Sequence, residues 1–148
     1  MANRLATACI LVALALRAAP AIPQPAALPT IATITFAPGS TLSTVDGRMV
    51  PGCCDLYYVP AKAGQTLLVS VAAKGEVTFR VFRPETTVAK AADGKLQFAG
   101  TTLPEAGADD NAKAWVGALP QGGKYLIAVA MADRGTMLSP YTLTVSLQ

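Results

Sequence analysis

The sequence predicts an all-β domain, an antiparallel β-sandwich or jelly roll of about eight strands preceded by a signal peptide. Three observations carry that expectation. No stretch sustains a helical hydrophobic period. Turn signals built on Pro and Gly recur about every ten residues. Between them apolar residues alternate with Thr and Ser, as from Tyr141 to Leu147, which fits sheets packed on one face and wetted on the other.

Taken in order, the chain opens on Arg4 and an apolar run from Leu5 to Leu16. That run is too short to span a bilayer, which needs about 20 residues, and Ala19-Pro20-Ala21 offers a cleavage pattern. Residues 1–21 therefore read as a signal peptide, 22–29 as a Pro/Ala-rich linker and 30–148 as the domain. Cys9 falls inside the apolar run, so no lipid anchor is expected, and no stable membrane anchor remains after cleavage. The first strand is expected from Thr30 to Phe36, and a weaker one from Thr41 to Met49, interrupted by Gly47. Cys54 to Pro60 and Gln65 to Ala73 follow on either side of Ala61-Lys62-Ala63-Gly64. Glu76 to Arg83 alternates most cleanly, with Val77, Phe79 and Val81 inward and Thr78 and Arg80 outward; Phe82 breaks the pattern. Thr86 to Ala92 and Lys95 to Ala99 flank the turn Asp93-Gly94, and Gly100 to Asn111 reads as a polar loop.

The stretch from Trp115 to Met131 reads as a β-hairpin around Pro120-Gln121-Gly122-Gly123. Its second arm is apolar on both faces, as a central strand requires, and its turn presents Lys124 and Tyr125.

Composition excludes several functions. There is no histidine, which removes the commonest general base, the commonest metal ligand and every Ser-His or Cys-His nucleophile pair. Without Arg4 and Arg17, twelve basic residues become ten against nine acidic ones, a net charge of +1 with no basic cluster for nucleic acid. No cofactor is expected. The chain reads as a non-catalytic binding domain outside the cytoplasm, periplasmic or secreted.

An ordered set of short motifs then resembles a known group. It comprises Ile34-Thr35-Phe36-Ala37-Pro38-Gly39-Ser40, Leu56-Tyr57 leading to Ala61-Lys62-Ala63-Gly64-Gln65-Thr66-Leu67, Phe79-Arg80-Val81-Phe82, Trp115-x-Gly117-x-Leu119-Pro120, Gly123-x-Tyr125 and Tyr141-Thr142-Leu143. Over about Thr30 to Leu147 the chain resembles bacterial pre-peptidase C-terminal domains and the related periplasmic inhibitors of g-type and i-type lysozyme. The resemblance implies a β-sandwich that offers a loop of the form Ser-Gly-x-Tyr to a lysozyme cleft. The matching positions here are Gly122, Gly123, Lys124 and Tyr125, without the Ser; the strand after them carries Ala128 and Ala130 in place of Arg, and the following loop has the single Arg134. The partner would be a lysozyme, or another protein or glycan outside the cytoplasm. The alternative is a structural or targeting module of the pre-peptidase kind.

Three candidate sites follow. Gly122, Gly123, Lys124, Tyr125 and Arg134 form the partner-binding candidate; the ordinary reading is a turn with Tyr125 packed at a strand start. Adjacent Cys53 and Cys54 could close a vicinal disulfide in an oxidising compartment. Glu105, Asp109, Asp110 and Asn111 bear oxygen ligands, but their spacing matches no calcium loop, so no metal is expected. Asp55, Lys62, Arg80 and Arg83 read as solvated charges. An exposed edge strand could pair two copies, and no residue pattern in the sequence decides the oligomeric state.

Overall fold

In the computed structural model, residues 28–131 and 138–148 are described; the expected signal peptide, most of the linker and the loop bearing Arg134 lie outside them. The strands are β1 (Ala32–Thr33), β2 (Leu42–Met49), β3 (Cys54–Ala61), β4 (Thr66–Ala73), β5 (Val77–Phe82), β6 (Thr87–Lys90), β7 (Leu96–Ala99), β8 (Ala114–Ala118), β9 (Gly123–Met131) and β10 (Ser139–Leu147). They form a four-stranded sheet in the order β1-β3-β9-β5, a second in the order β2-β10-β4-β8, and a separate β6-β7 ribbon. Every pairing is antiparallel except β1 with β3. This is the sandwich that the alternating sequence predicts. Among the described residues no helix is long and apolar enough to cross a membrane.

The period of two decides what is buried. Tyr57 and Val59 of β3, Val77, Phe79 and Val81 of β5, and Tyr125, Ile127 and Val129 of β9 meet Leu67, Val69 and Val71 of β4 and Tyr141, Leu143 and Val145 of β10. Full burial of each such aliphatic or aromatic side chain contributes about 1.5–3 kcal/mol. β9 sits between β3 and β5 and is covered on both faces, as its sequence requires. Its outer residues Leu126 and Ala128 join Leu56 and Phe82 in a second cluster beneath the β6-β7 ribbon. Phe82 breaks the expected alternation for this reason: its ring stacks on Phe98 with centroids 4.8 Å apart.

Three expectations are corrected. First, β8 and β9 are not a hairpin. β8 pairs with β4 in one sheet and β9 with β3 and β5 in the other, so Pro120-Gln121-Gly122 carries the chain across the sandwich. β9 already has a neighbour on each edge, which leaves none for β8. Leu119 is instead tied to the β3–β4 loop, accepting from Gly64 N (2.9 Å) and donating to Gln65 O (2.8 Å).

Second, Gly47 does not interrupt β2; the ladder to β10 runs through it. A Cβ there would collide with the Tyr141 ring, so the glycine is a seat for that ring rather than a break. The first strand, by contrast, shortens to Ala32–Thr33 because Thr35 to Pro38 crosses to the opposite sheet, where Ser43 Oγ donates to Thr35 O at 3.0 Å.

Third, the segment from Gly100 to Asn111 is not simply a polar loop. Leu103 and Ala106 are buried in the main core. The backbone covers the free edge of β5: Leu103 N donates to Val81 O (2.8 Å), Val81 N to Ala106 O (3.0 Å) and Phe79 N to Ala112 O (3.0 Å). An edge that would otherwise invite pairing is thus closed by the chain itself.

Candidate functional site

One end of the sandwich gathers the β3–β4 loop, the Pro120–Gly122 crossing and Pro84. A Cβ on Gly122 would lie 3.5 Å from Ala63 N and 3.7 Å from the Lys62 Cα, so the two loops touch. Gly123 adopts φ +147, and a Cβ there would meet Pro84 Cβ at 2.7 Å. Only glycine joins that backbone conformation to that close approach.

The two side chains expected to project have different fates. Lys124 is exposed, and its Nζ lies 6.0 Å from the centroid of the Tyr58 ring. That separation is at the outer limit of a cation–π contact, so the ammonium remains free to engage a partner. Tyr125 is fully buried, with no exposed surface. Its hydroxyl donates to Gln121 O at 2.7 Å, bracing the crossing loop from beneath. Tyr125 is therefore not presented to solvent; its place in the inward row with Ile127 and Val129 puts it in the core. Arg134 lies outside the described residues.

Lys62, which sequence reasoning leaves as a scattered charge, joins this end. It is exposed, and the turn that carries it is closed by Lys62 N donating to Gln65 Oε1 at 2.7 Å. Two lysines, Lys62 in the β3–β4 loop and Lys124 at the start of β9, thus crown one end, with exposed Glu85 following Pro84 as the neighbouring acid. The sequence signal for Lys62 was only its place in a turn; the proximity arises from pairing across the fold.

The opposite end holds a polar chain. Tyr141 Oη donates to Asp55 Oδ2 at 2.7 Å and lies 2.6 Å from Tyr57 Oη. Since the Tyr141 proton is committed to the carboxylate, Tyr57 donates to Tyr141. Burial pushes both phenols above the ordinary tyrosine range, and at Tyr141 the bond donated to the Asp55 carboxylate adds to the rise. Asp55 is therefore a partner in a network rather than a solvated strand-end charge.

Cys53 and Cys54 carry unpaired thiols in the structure, so the vicinal ring left open by the sequence is not formed here. Cys53 is exposed at the end of the β2–β3 turn, whereas Cys54 begins β3 and packs into the outer cluster. Burial raises the Cys54 pKa, with Arg80 acting against it. Both line a groove of about 420 Å³ that also takes in Arg80, Lys90 and Lys95. Alkylation of the native protein followed by peptide mapping is expected to label Cys53 at least ten times faster than Cys54, because the thiolate is the reacting species. Equal rates, or a mass two hydrogens short at this peptide, would contradict two independent thiols.

In the acidic loop, Gly107 N donates to Asp110 Oδ2 at 2.6 Å and Asn111 Nδ2 to Asp109 O at 3.4 Å. These side chains shape their own turn. Among the described residues there is no group of three or more His, Cys, Asp or Glu placed to hold a metal ion.

No family model matches the chain, and no curated protein matches it by sequence. Solved structures do. PliG of Aeromonas hydrophila, a periplasmic lysozyme inhibitor of g-type lysozyme, is 30% identical, with 80% of this chain and 96% of that chain covered and a TM-score of 0.61. A mutant of the Escherichia coli inhibitor of the same kind is 19% identical over 80% of this chain and 97% of its own, with a TM-score of 0.55. The Salmonella Typhimurium inhibitor is 18% identical over 82% of this chain and 100% of its own, with a TM-score of 0.57. The latter two are likenesses of fold.

Proposed function

We propose, for a chain that belongs to the family of periplasmic inhibitors of g-type lysozyme, that it binds a g-type lysozyme and occludes its cleft with the end of the sandwich bearing Lys62 and Lys124. The carrying observation is the match along nearly the whole length of the Aeromonas inhibitor. The protein is a non-catalytic binder of the periplasm, in keeping with its family. A glycosidase cleft holds carboxylates for acid and nucleophile or base work. An exposed ammonium at a strand start beside a braced loop is suited to pair with them and exclude substrate, because charge-assisted hydrogen bonds in a desolvated cleft are the strong ones. Gly122, Gly123 and Tyr125 serve this reading by holding the loop, and Lys124 by making contact. Coverage of an inhibitor's full length favours this reading over a structural or targeting module of the pre-peptidase kind.

The test is inhibition of g-type, i-type and c-type lysozymes by the purified protein. Inhibition of the g-type enzyme is expected, with Lys124→Ala weakening it about 10–30-fold, the cost of a central interface anchor. Inhibition untouched by Lys124→Ala and Lys62→Ala together would move the contact elsewhere on the surface. No inhibition of any class at micromolar protein would overturn the reading.

A further inference from the structure

We propose that Cys53 is a site of mixed-disulfide formation with a small acidic thiol, whose carboxylates Arg80 and Lys90 hold in the groove on the outer face of the β1-β3-β9-β5 sheet. The inference concerns a surface apart from the loop end and stands whether or not a lysozyme is bound. Cys54 pairs with Ala130 at one end of β3 and β9, whereas Lys124 pairs with Pro60 at the other.

Strand register makes the groove. On the outer face of this sheet Ala130 sits between Cys54 of β3 and Thr78 of β5, and Ala128 sits between Leu56 and Arg80. The next row, Tyr58, Leu126 and Phe82, is large, and the β6-β7 ribbon packs against it through Phe98. Two small side chains on the central strand thus leave a trough between Cys54 and Arg80. The ribbon brings Lys90 and Lys95 to its rim, and the β2–β3 turn brings Cys53. Its volume of about 420 Å³ falls in the range of small-molecule clefts, about 300–1,000 Å³.

Charge decides what such a groove accepts. Its lining carries Arg80, Lys90 and Lys95 and, among the described residues, no Asp or Glu. Lys95 already faces Asp93 at 3.7 Å, while Arg80 and Lys90 have no carboxylate partner among the described residues. Cations beside two thiols repel a thiophilic metal ion and attract an anion. Cys53 is exposed and meets solutes first; burial raises the Cys54 pKa, which keeps that thiol protonated and slow.

The chemistry is thiol–disulfide exchange with the disulfide of an acidic thiol, in a compartment that favours such bonds. Cys53 gives its proton to water, and the thiolate attacks one sulfur of the small disulfide. A bond from Cys53 Sγ forms as the original S–S bond breaks, and the departing thiolate takes up a proton. Cys53 is oxidised and the departing half reduced. Cys54 is poorly placed to expel the retained half. The Cys53–Cys54 peptide is trans, which sets the Cα atoms about 3.8 Å apart, against the about 4.4–6.8 Å that a disulfide spans. The retained half then rests its carboxylates on Arg80 and Lys90 through charge-assisted hydrogen bonds.

To test this, purified protein is incubated with oxidised glutathione, whose halves carry more carboxylates than ammonium groups. A parallel reaction uses cystamine, the disulfide of a cationic thiol, and adducts are followed by mass and located by peptide mapping. One glutathionyl group is expected on the Cys53–Cys54 peptide of the native chain and of Cys54→Ala, and none on that of Cys53→Ala. Oxidised glutathione should react about fivefold faster than cystamine, a preference that rising salt reduces. Arg80→Gln/Lys90→Gln, confirmed folded by circular dichroism, should abolish the preference while leaving Cys53 open to a neutral alkylating agent. No adduct with oxidised glutathione, or an adduct that persists in Cys53→Ala and is lost in Cys54→Ala, would overturn the proposal. So would cystamine reacting as fast as oxidised glutathione with the native chain, or a preference that survives in the double variant.

Discussion

Replacing Tyr125 with alanine is expected to cost about 3–5 kcal/mol of stability, the usual penalty for removing a buried aromatic ring. The ring has no exposed surface and lies among Ile127, Val129, Val59 and Phe79 in the main core. Its hydroxyl also supplies the bond to Gln121 O that braces the crossing loop. Tyr125→Phe keeps the ring and removes only that bond, so about 1 kcal/mol is expected. Lys124→Ala, next to it in sequence but exposed, should change stability by no more than about 0.5 kcal/mol. Urea denaturation separates the three: the midpoint should fall steeply for Tyr125→Ala, slightly for Tyr125→Phe and hardly at all for Lys124→Ala. A Tyr125→Ala protein as stable as the native one would mean that the residue is not in the core. The ordering also guides inhibition assays, since loss of activity in Tyr125→Ala reports unfolding, while loss in Lys124→Ala reports contact.

Gly47→Ala is expected to destabilise by about 1–3 kcal/mol although it adds a single methyl group. The space that methyl needs is filled by the Tyr141 ring. The ring has little freedom to withdraw, because it is buried and its hydroxyl is held between Asp55 and Tyr57. A double-mutant cycle identifies the cause. In a Tyr141→Ala background the ring is gone, and the Gly47→Ala penalty should largely vanish, leaving a coupling of at least about 1 kcal/mol. Equal penalties in both backgrounds would assign the effect to the strand backbone instead.

The strands were legible because burial follows a period of two, and the rows Val77-Phe79-Val81 and Tyr141-Leu143-Val145 state it without ambiguity. The same rows already contained the answer for Tyr125, which alternates in phase with Ile127 and Val129. Edges are another matter. Alternation says which face a residue takes, not which strand lies beside it, so β8 and β9 looked like neighbours when each belongs to a different sheet. The pairing of Asp55 with Tyr141 spans 86 residues and leaves no local trace. The covering of β5 was hidden by composition: Pro104 and Glu105 stand between the two buried residues, Leu103 and Ala106, and it is backbone groups that make the bonds. Lys62 joined Lys124 for a similar reason, since two loops distant in sequence meet only after both sheets have formed.

The central place of β10 bears on how the chain reaches this structure. β10 bonds to β2 on one side and β4 on the other, and the Thr142–Asp46 contact alone spans 96 residues. Until Ser139–Leu147 is present, β2 and β4 have no strand between them, and that half of the sandwich has no centre. Closing loops of such length before any contact rewards them makes folding slow, in the millisecond-to-second range typical of all-β domains. Assembly is thus held back until the last strand arrives and then proceeds as one cooperative event. A truncation ahead of Ser139 should leave a chain with unpaired strands, prone to associate with its own kind.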